Sequence, residues 1–328
     1  MADQAFVTGA TGCVGANVAA ALLAQGYRVR AMRRSTSSLA ALADLDVELV
    51  TGDIFDLPSL TAAMEGCELV FHCAAVSDYW RTPAPRIYQV NVEGTRRVLQ
   101  AALWTSVRRL VYTSSIGALG VPAPGHLLDE SSTFNLPPRR FPYGHSKHLA
   151  EQEVHDAVAR GLDAIIVNPS LVMGARDVHF IGGSALREVK RGLSWFAPAG
   201  GANWIDAETV GMGQVLAAKR GFTGERYILG GENLAHKEAL AFIADTVGGK
   251  RPWLTLPRAL TGAGAVAVDA LNALWPGMLP FGGDQARMSG IEMYCNCQKA
   301  FQGLGLPRTP FHAAVKRAYA WYQANGYM

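Results

Sequence analysis

The chain has little charge and no concentration of it. Only 17% of its 328 residues are Asp, Glu, Lys or Arg, and the formal net charge is +3. No long basic block or basic–aromatic ladder occurs, so no nucleic-acid partner is expected. Cysteine is sparse and odd in number: Cys13, Cys67, Cys73, Cys295 and Cys297. Scattered in this way, the five suit free thiols in a reducing, cytoplasmic compartment better than a disulfide framework. Cys295-Asn296-Cys297 is too close-set for an ordinary zinc pair, and no His, Asp and Glu set has metal spacing, so no metal is expected. No charged segment followed by an apolar core opens the sequence, so no signal peptide is expected. The longest apolar stretch, 256–279, is interrupted by Arg258, Asp269, Asn272 and prolines. It falls short of an integral membrane span. It reads as a buried or pocket-covering helix, with a loose membrane-surface contact as the lesser reading. Short repeats and low-complexity runs are absent. So is a Gly-x-Ser-x-Gly elbow, which argues against a hydrolase triad.

What is present is apolar and periodic. Hydrophobic residues make up 49% of the chain, enough for a substantial core. Short apolar runs at 5–8, 27–32, 47–51, 68–73, 109–113 and 164–168 alternate with helical patterns at 14–25, 60–64, 87–104 and 142–160. Strands alternating with helices imply parallel pairing through right-handed crossovers. The fold class is therefore α/β, a Rossmann-type doubly wound parallel sheet. Residues 1–173 read mainly as a dinucleotide-binding domain, and 174–328 mainly as a smaller substrate-binding region with a soft boundary. Between them, 117–142 is a long irregular segment with five prolines, the kind of loop that is usually functional or mobile.

The first strand runs into Thr8-Gly9-Ala10-Thr11-Gly12-Cys13-Val14-Gly15. Three glycines between a strand and a helix form a phosphate-binding turn. Gly9 allows the tight turn, Gly12 lets the backbone approach a pyrophosphate, and Gly15 lets helix and strand pack closely. Thr11, Cys13 and Val14 bring the helix N-terminus and its unpaired N–H groups to the phosphates. After the second strand, where an acidic residue would bind the ribose of NAD, the chain has Arg33-Arg34. Arginine there can pair with a 2′-phosphate, so NADP is expected over NAD. Asp53 and Ile54, after the third strand, are placed to meet the adenine.

Tyr143 and Lys147 sit four residues apart, on one face of a helix. A neighbouring ammonium lowers a phenol's pKa, which lets Tyr143 exchange protons with a substrate oxygen. Taken with the glycine turn, this pair resembles the extended short-chain dehydrogenase/reductase superfamily. Thr8–Gly15 is similar to its TGxxGxxG, Tyr143-Gly-His-Ser-Lys147-His-Leu-Ala-Glu151 to its YxxSKxxAE, and Asn91–Thr95 to its NVxGT. The resemblance covers nearly the whole chain. It is nearest to dihydroflavonol-reductase-like and 3β-hydroxysteroid-dehydrogenase-like proteins, and to the hopanoid-associated epimerase/dehydratase group. It implies that Ser115, ahead of Ser114, holds the substrate oxygen, that Tyr143 transfers the proton, and that Lys147 tunes Tyr143 and holds the nicotinamide ribose. It implies further cofactor contacts at Ala74, Ala75, Pro169 and Ser170. Asn91 reads as a fixer of local backbone. Where many relatives carry His-Val-x-Asp, this chain has Asn203-Trp204-Ile205-Asp206-Ala207. Large apolar residues, Trp80, Phe141, Met173 and Phe180 with Trp195 and Trp204, suggest a pocket for a less polar carbonyl substrate. The expected activity is NADP-dependent reduction of a ketone or aldehyde, with nucleotide-sugar epimerisation or dehydration as the alternative. A homodimer pairing the two long helices is expected by analogy.

Overall fold

The computed structural model describes residues 3–78, 82–105, 107–275 and 282–328, with the backbone alone at 261–263, 273 and 285. The first part alternates strands β1 (Gln4–Thr8), β2 (Arg28–Arg33), β3 (Glu48–Thr51), β4 (Leu69–His72), β5 (Arg109–Thr113) and β6 (Ala164–Pro169) with helices. These are α1 (Cys13–Ala24), α2 (Leu57–Met64), α3 (Ala84–Tyr88), α4 (Gly94–Trp104) and α5 (Pro142–Ala159). The second part runs β7 (Leu171–Met173), α6 (Ser184–Lys190), β8 (Phe196–Pro198), β9 (Gly201–Asp206), α7 (Ala207–Arg220), β10 (Arg226–Leu229) and β11 (Glu232–Ala235). It continues through α8 (His236–Val247), β12 (Leu254–Leu256), α9 (Arg258–Leu274), α10 (Gly283–Met288), β13 (Glu292–Met293) and α11 (Phe311–Ala324).

Seven strands form one parallel sheet in the order β10-β6-β5-β4-β1-β2-β3. Successive residues of β1 feed opposite faces. Val7 joins a core with Ala16, Val29 and Val210, while Phe6 joins one with Met64, Val98 and Val154. A sheet covered on both faces explains why its central strands are nearly continuous apolar runs. Strand order reverses between β1 and β4. In open α/β sheets that reversal leaves a crevice beyond the strands' C-terminal ends, where ligands bind.

The chain returns to this sheet after residue 173. β10 pairs with β6, and α7 packs against α1. The remainder forms a second sheet of β11, β9 and β13 with β7, covered by α8 and α11. β8 and β12 make a separate two-stranded ribbon.

Two elements differ from the sequence expectation. The helix expected over 87–104 is broken into α3, a π turn at Gln89–Glu93, and α4. The wide turn lets the Asn91 side chain leave the helix surface and point inward, where it is buried. The apolar stretch expected to be a buried or pocket-covering helix, or in the lesser reading a membrane-surface contact, begins as α9, and it is not buried: Leu260, Val266 and Leu274 are exposed, followed by exposed Trp275. Residues 276–279 of the stretch lie outside the described residues. Among the described residues no helix is long and apolar enough to cross a membrane.

Candidate active site

The glycine turn sits at the sheet's reversal point. Gly9 has φ +67°, and a Cβ there would lie 2.6 Å from the Ala74 nitrogen, so only glycine lets the turn approach the segment after β4. A Cβ on Gly15 would lie 2.3 Å from the Gly9 carbonyl oxygen. Both glycines are demanded by the fold itself. Gly12 is different. A Cβ there would meet only the Gly9 oxygen, at 3.4 Å, an ordinary contact. Gly12 is also the N-cap of α1 and makes no side-chain cap bond, so the helix's first N–H groups face the crevice without one. A pyrophosphate fits this cradle.

Further polar groups await a ligand around it. The Ser170 hydroxyl is buried after β6 with no hydrogen-bond partner among the described residues, and so is the Arg33 Nε at the end of β2. Arg34 is exposed beside it. Asp53 spends one carboxylate oxygen on the Phe55 N–H, at 2.9 Å. Ile54 is buried against the Gly94 turn, and Pro169 is buried in β6. Ala74 and Ala75 are half-buried, and the Ala74 N–H donates to the Thr8 hydroxyl at 3.3 Å. Thr11, Cys13 and Val14 are half-buried along the turn, and burial with nearby Asp177 holds the Cys13 thiol well above its usual pKa. These groups lie at or just after the C-terminal ends of β1, β2, β3, β4 and β6.

Tyr143 and Lys147 lie on the first turns of α5. Lys147 is 3% exposed. Its ammonium donates to the Thr113 carbonyl at 2.8 Å and lies 3.4 Å from the Tyr112 hydroxyl, 5.0 Å from the centre of that ring. Burial pushes its pKa down to about 8, opposed by the charges of Cys73 and Glu151. Ser115 follows β5 and its hydroxyl accepts from the Gly117 N–H at 3.1 Å. A Cβ built on Gly117 would lie 3.4 Å from Ser115 Oγ and 3.6 Å from Tyr143 Cε1. The two side chains therefore flank one gap. Ser114 takes no part in it: its hydroxyl donates to buried Glu151 at 2.5 Å.

Glu151 is a residue whose use sequence reasoning missed, although it stands four after Lys147. It accepts from Ser114 and, at 2.6 Å, from Asn168, and it pairs with Arg226 of β10 at 2.9 Å. Asn168 also donates to the Ser115 carbonyl at 3.0 Å. One buried carboxylate thus ties the ends of β5, β6 and β10 to α5. Asn91 works in a similar way. Its carbonyl oxygen accepts from the Val76 N–H at 2.8 Å, and its amide donates to Ser146 at 3.0 Å. His72 is wholly buried between the Thr8 hydroxyl, at 2.7 Å, and the Thr95 hydroxyl, at 3.0 Å. Burial drops its pKa to about 3, so the ring is neutral. His145 is not a plain surface residue: its Nδ1 meets the Tyr88 hydroxyl at 2.9 Å.

The apolar residues expected in the pocket divide. Phe141 is half-buried beside Tyr143, at the start of α5. Phe180 stacks on Tyr322 at 4.5 Å. Met173 has no exposed surface and belongs to the core with Leu186 and Val189, because the third residue of β7 points inward. It can support a pocket wall but cannot form its surface. Trp204 is likewise buried, against Phe311, whereas Trp195 is exposed on the ribbon. Trp80 lies outside the described residues.

A parallel doubly wound sheet, a glycine cradle at its reversal point and a Tyr–Lys helix beside it define an enzyme of the NAD(P)-binding, extended short-chain dehydrogenase/reductase class. Residues 5–224 match the model of the NAD-dependent epimerase/dehydratase family, and the chain belongs to that family. It is 38% identical to a Synechocystis sp. protein provisionally named dihydroflavonol 4-reductase, over 100% of this chain and 97% of that one. It is 34% identical to sterol demethylase protein B of Methylococcus capsulatus, over 98% of each. The crystal structure of gox2253 superposes with a TM-score of 0.87 at 33% identity, covering 99% of both chains.

Proposed function

We propose that this enzyme uses NADPH to reduce a ketone or aldehyde on a moderately apolar small molecule. The observation that carries the reading is the buried Lys147 cation, fixed on Thr113, one helical turn from a tyrosine that shares a gap with Ser115. Tyr143 gives its proton to the carbonyl oxygen as negative charge develops there. Ser115 donates a hydrogen bond to the same oxygen. Lys147 stabilises the phenolate that Tyr143 leaves behind. The cofactor, bound along the glycine cradle, supplies the hydride. Arg33 and Arg34 support the choice of NADP, since both stand where a 2′-phosphate would sit. The reductase and sterol-related names of the relatives support an apolar carbonyl compound. Phe141 and Phe180 supply apolar walls. Five free cysteines support a cytoplasmic location. A homodimer through α4 and α5 belongs to the same reading, and a monomeric solution mass would remove it.

The test is a spectrophotometric screen of carbonyl compounds with NADPH and NADH. Tyr143→Phe should lower turnover by at least about a hundredfold while cofactor still binds. Full activity in that variant overturns the mechanism. Conversion of a nucleotide sugar without net loss of NADPH replaces reduction with epimerisation. Arg34→Ala should raise the KM for NADPH by roughly tenfold and leave that for NADH alone.

A further inference from the structure

The ribbon of β8 and β12 is built unlike the rest of the surface. Five large apolar side chains lie on or beside it in the open: Leu193 at 69% exposure, Trp195, Phe196, Trp253 at 69% and Leu254. The last four of them form one patch. The Trp253 N–H donates to the Trp195 carbonyl at 3.3 Å, Leu254 pairs in register with Phe196, and the Phe196 and Trp253 rings are 5.9 Å apart. Single exposed apolar residues need no explanation, but a contiguous aromatic patch marks an interaction surface.

The surrounding charge tells what kind of surface. Lys190, Arg191, Lys250 and Arg251 are all exposed in the same two segments, and the Lys250 ammonium stands 5.8 Å from the Trp195 ring. Lys237 reaches the Trp253 carbonyl at 3.4 Å. Of these cations Arg251 is matched by Asp245 at 2.6 Å, and Lys190 donates to the neutral Tyr319 hydroxyl at 3.2 Å. Residues 184–196 and 236–260 together hold seven Lys and Arg against three Asp and Glu, a surplus of four. The rest of the chain holds 23 Lys and Arg against 24 Asp and Glu, so these segments are basic against a near-neutral background, although Arg258 is paired with Glu292 at 3.7 Å. The apolar bodies of two tryptophans, leucine and phenylalanine beside them, and a lysine–arginine rim match the chemistry of a bilayer's headgroup boundary, even though the Trp195 indole N–H is already spent on the Gly192 carbonyl at 2.5 Å. The ribbon leads through Pro257 into α9, which keeps Leu260, Ala267 and Leu274 exposed at helical spacing along one side. Another side of α9 packs on α10, but among the described residues this apolar side is left uncovered.

We propose that the β8–β12 ribbon, continued by α9, docks on the surface of a membrane carrying anionic lipids. The protein rests there without crossing. Trp195, Phe196 and Trp253 enter the headgroup boundary, while Lys190, Arg191 and Lys250 meet the lipid phosphates. This inference stands apart from the reductase reading, because it requires no turnover.

The experiment uses the full chain and sucrose-loaded vesicles of phosphatidylcholine with and without phosphatidylglycerol. The protein should sediment with the anionic vesicles and show a blue shift of tryptophan fluorescence. Binding to pure phosphatidylcholine should be at least about tenfold weaker, and salt should release the protein from anionic vesicles. Trp195→Ser with Trp253→Ser should lower vesicle affinity by at least about tenfold. Lys250→Glu should lower it by roughly fivefold or more. All three positions are exposed, and unchanged circular dichroism and melting will show that the variants fold. Failure to sediment with anionic vesicles, or sedimentation unaltered by the double tryptophan variant, overturns the proposal. So does a solution dimer that the double variant converts to monomer, since a second copy then covers the patch.

Discussion

Lys147 carries its charge at some cost. Buried against Tyr112 and near neutral His72, it has the Glu151 carboxylate to compensate its charge, since burial pushes the Cys73 thiol up to about 11 and keeps it neutral. With a pKa of about 8 it is cationic below that pH and neutral above it. In the proposed mechanism the cation favours the Tyr143 phenolate, so reduction should decline as pH rises through about 8, read as kcat/KM for the carbonyl. A profile flat to about pH 10 would separate Lys147 from catalysis. Glu151 should control where that decline begins. Glu151→Gln keeps an acceptor for Ser114 and Asn168 but removes the charge that favours the ammonium. The alkaline limit should then move to lower pH. The variant should also lose roughly 3 kcal/mol of stability, because Arg226 is left beside the core without its carboxylate. A lower melting point with an unmoved pH limit would leave Glu151 a packing role alone.

At the scale of elements, the turn between β1 and α1 separates two demands that one motif combines. Gly15→Ala pushes a methyl into the Gly9 carbonyl and should cost about 2 kcal/mol or more, seen in the urea midpoint. Gly12→Ala has room inside the chain, so the midpoint should hold while NADPH affinity falls at least about tenfold. Unchanged affinity would show that the cradle does not receive the cofactor. The sequence pattern disclosed this turn, the Tyr143–Lys147 helix and the six strands of the first half, since each central strand is an apolar run between clear turn signals. It did not disclose the π turn. Residues 87–104 keep helical periodicity, and the inward swing of Asn91 depends on Val76 and Ser146, which are close only in space. Nor did it show β8, β12 and β13, which are two or three residues long and too short for any periodicity. The exposed side of α9 was hidden for another reason. Apolar composition says that a face needs cover, but only the packing shows that none of the described residues provides it.

Across the whole molecule, two histidines, His72 wholly buried and His236 half-buried, link stability to acidity. His72 falls to about 3 and His236 to about 4, both through burial, from an ordinary 6.5. Both are neutral in the folded and unfolded chain well above pH 6.5. As pH falls below that value the unfolded chain takes up protons and the folded one does not, so stability is lost progressively toward pH 3. Between about pH 7 and pH 5 each histidine should remove about 2 kcal/mol, measurable by urea unfolding at the two pH values. Replacement of His236 by Gln should reduce the slope.

The return of the chain to its first sheet sets an order on its synthesis. β6 ends at Pro169, but the strand that covers its edge begins at Arg226. A ribosome that has released residues 1–169 presents a sheet with an open side, and open strand edges invite pairing with other chains. The same interval leaves the carboxylate of Glu151 waiting for Arg226. More than fifty residues of translation thus separate the making of α5 from the closing of its foundation.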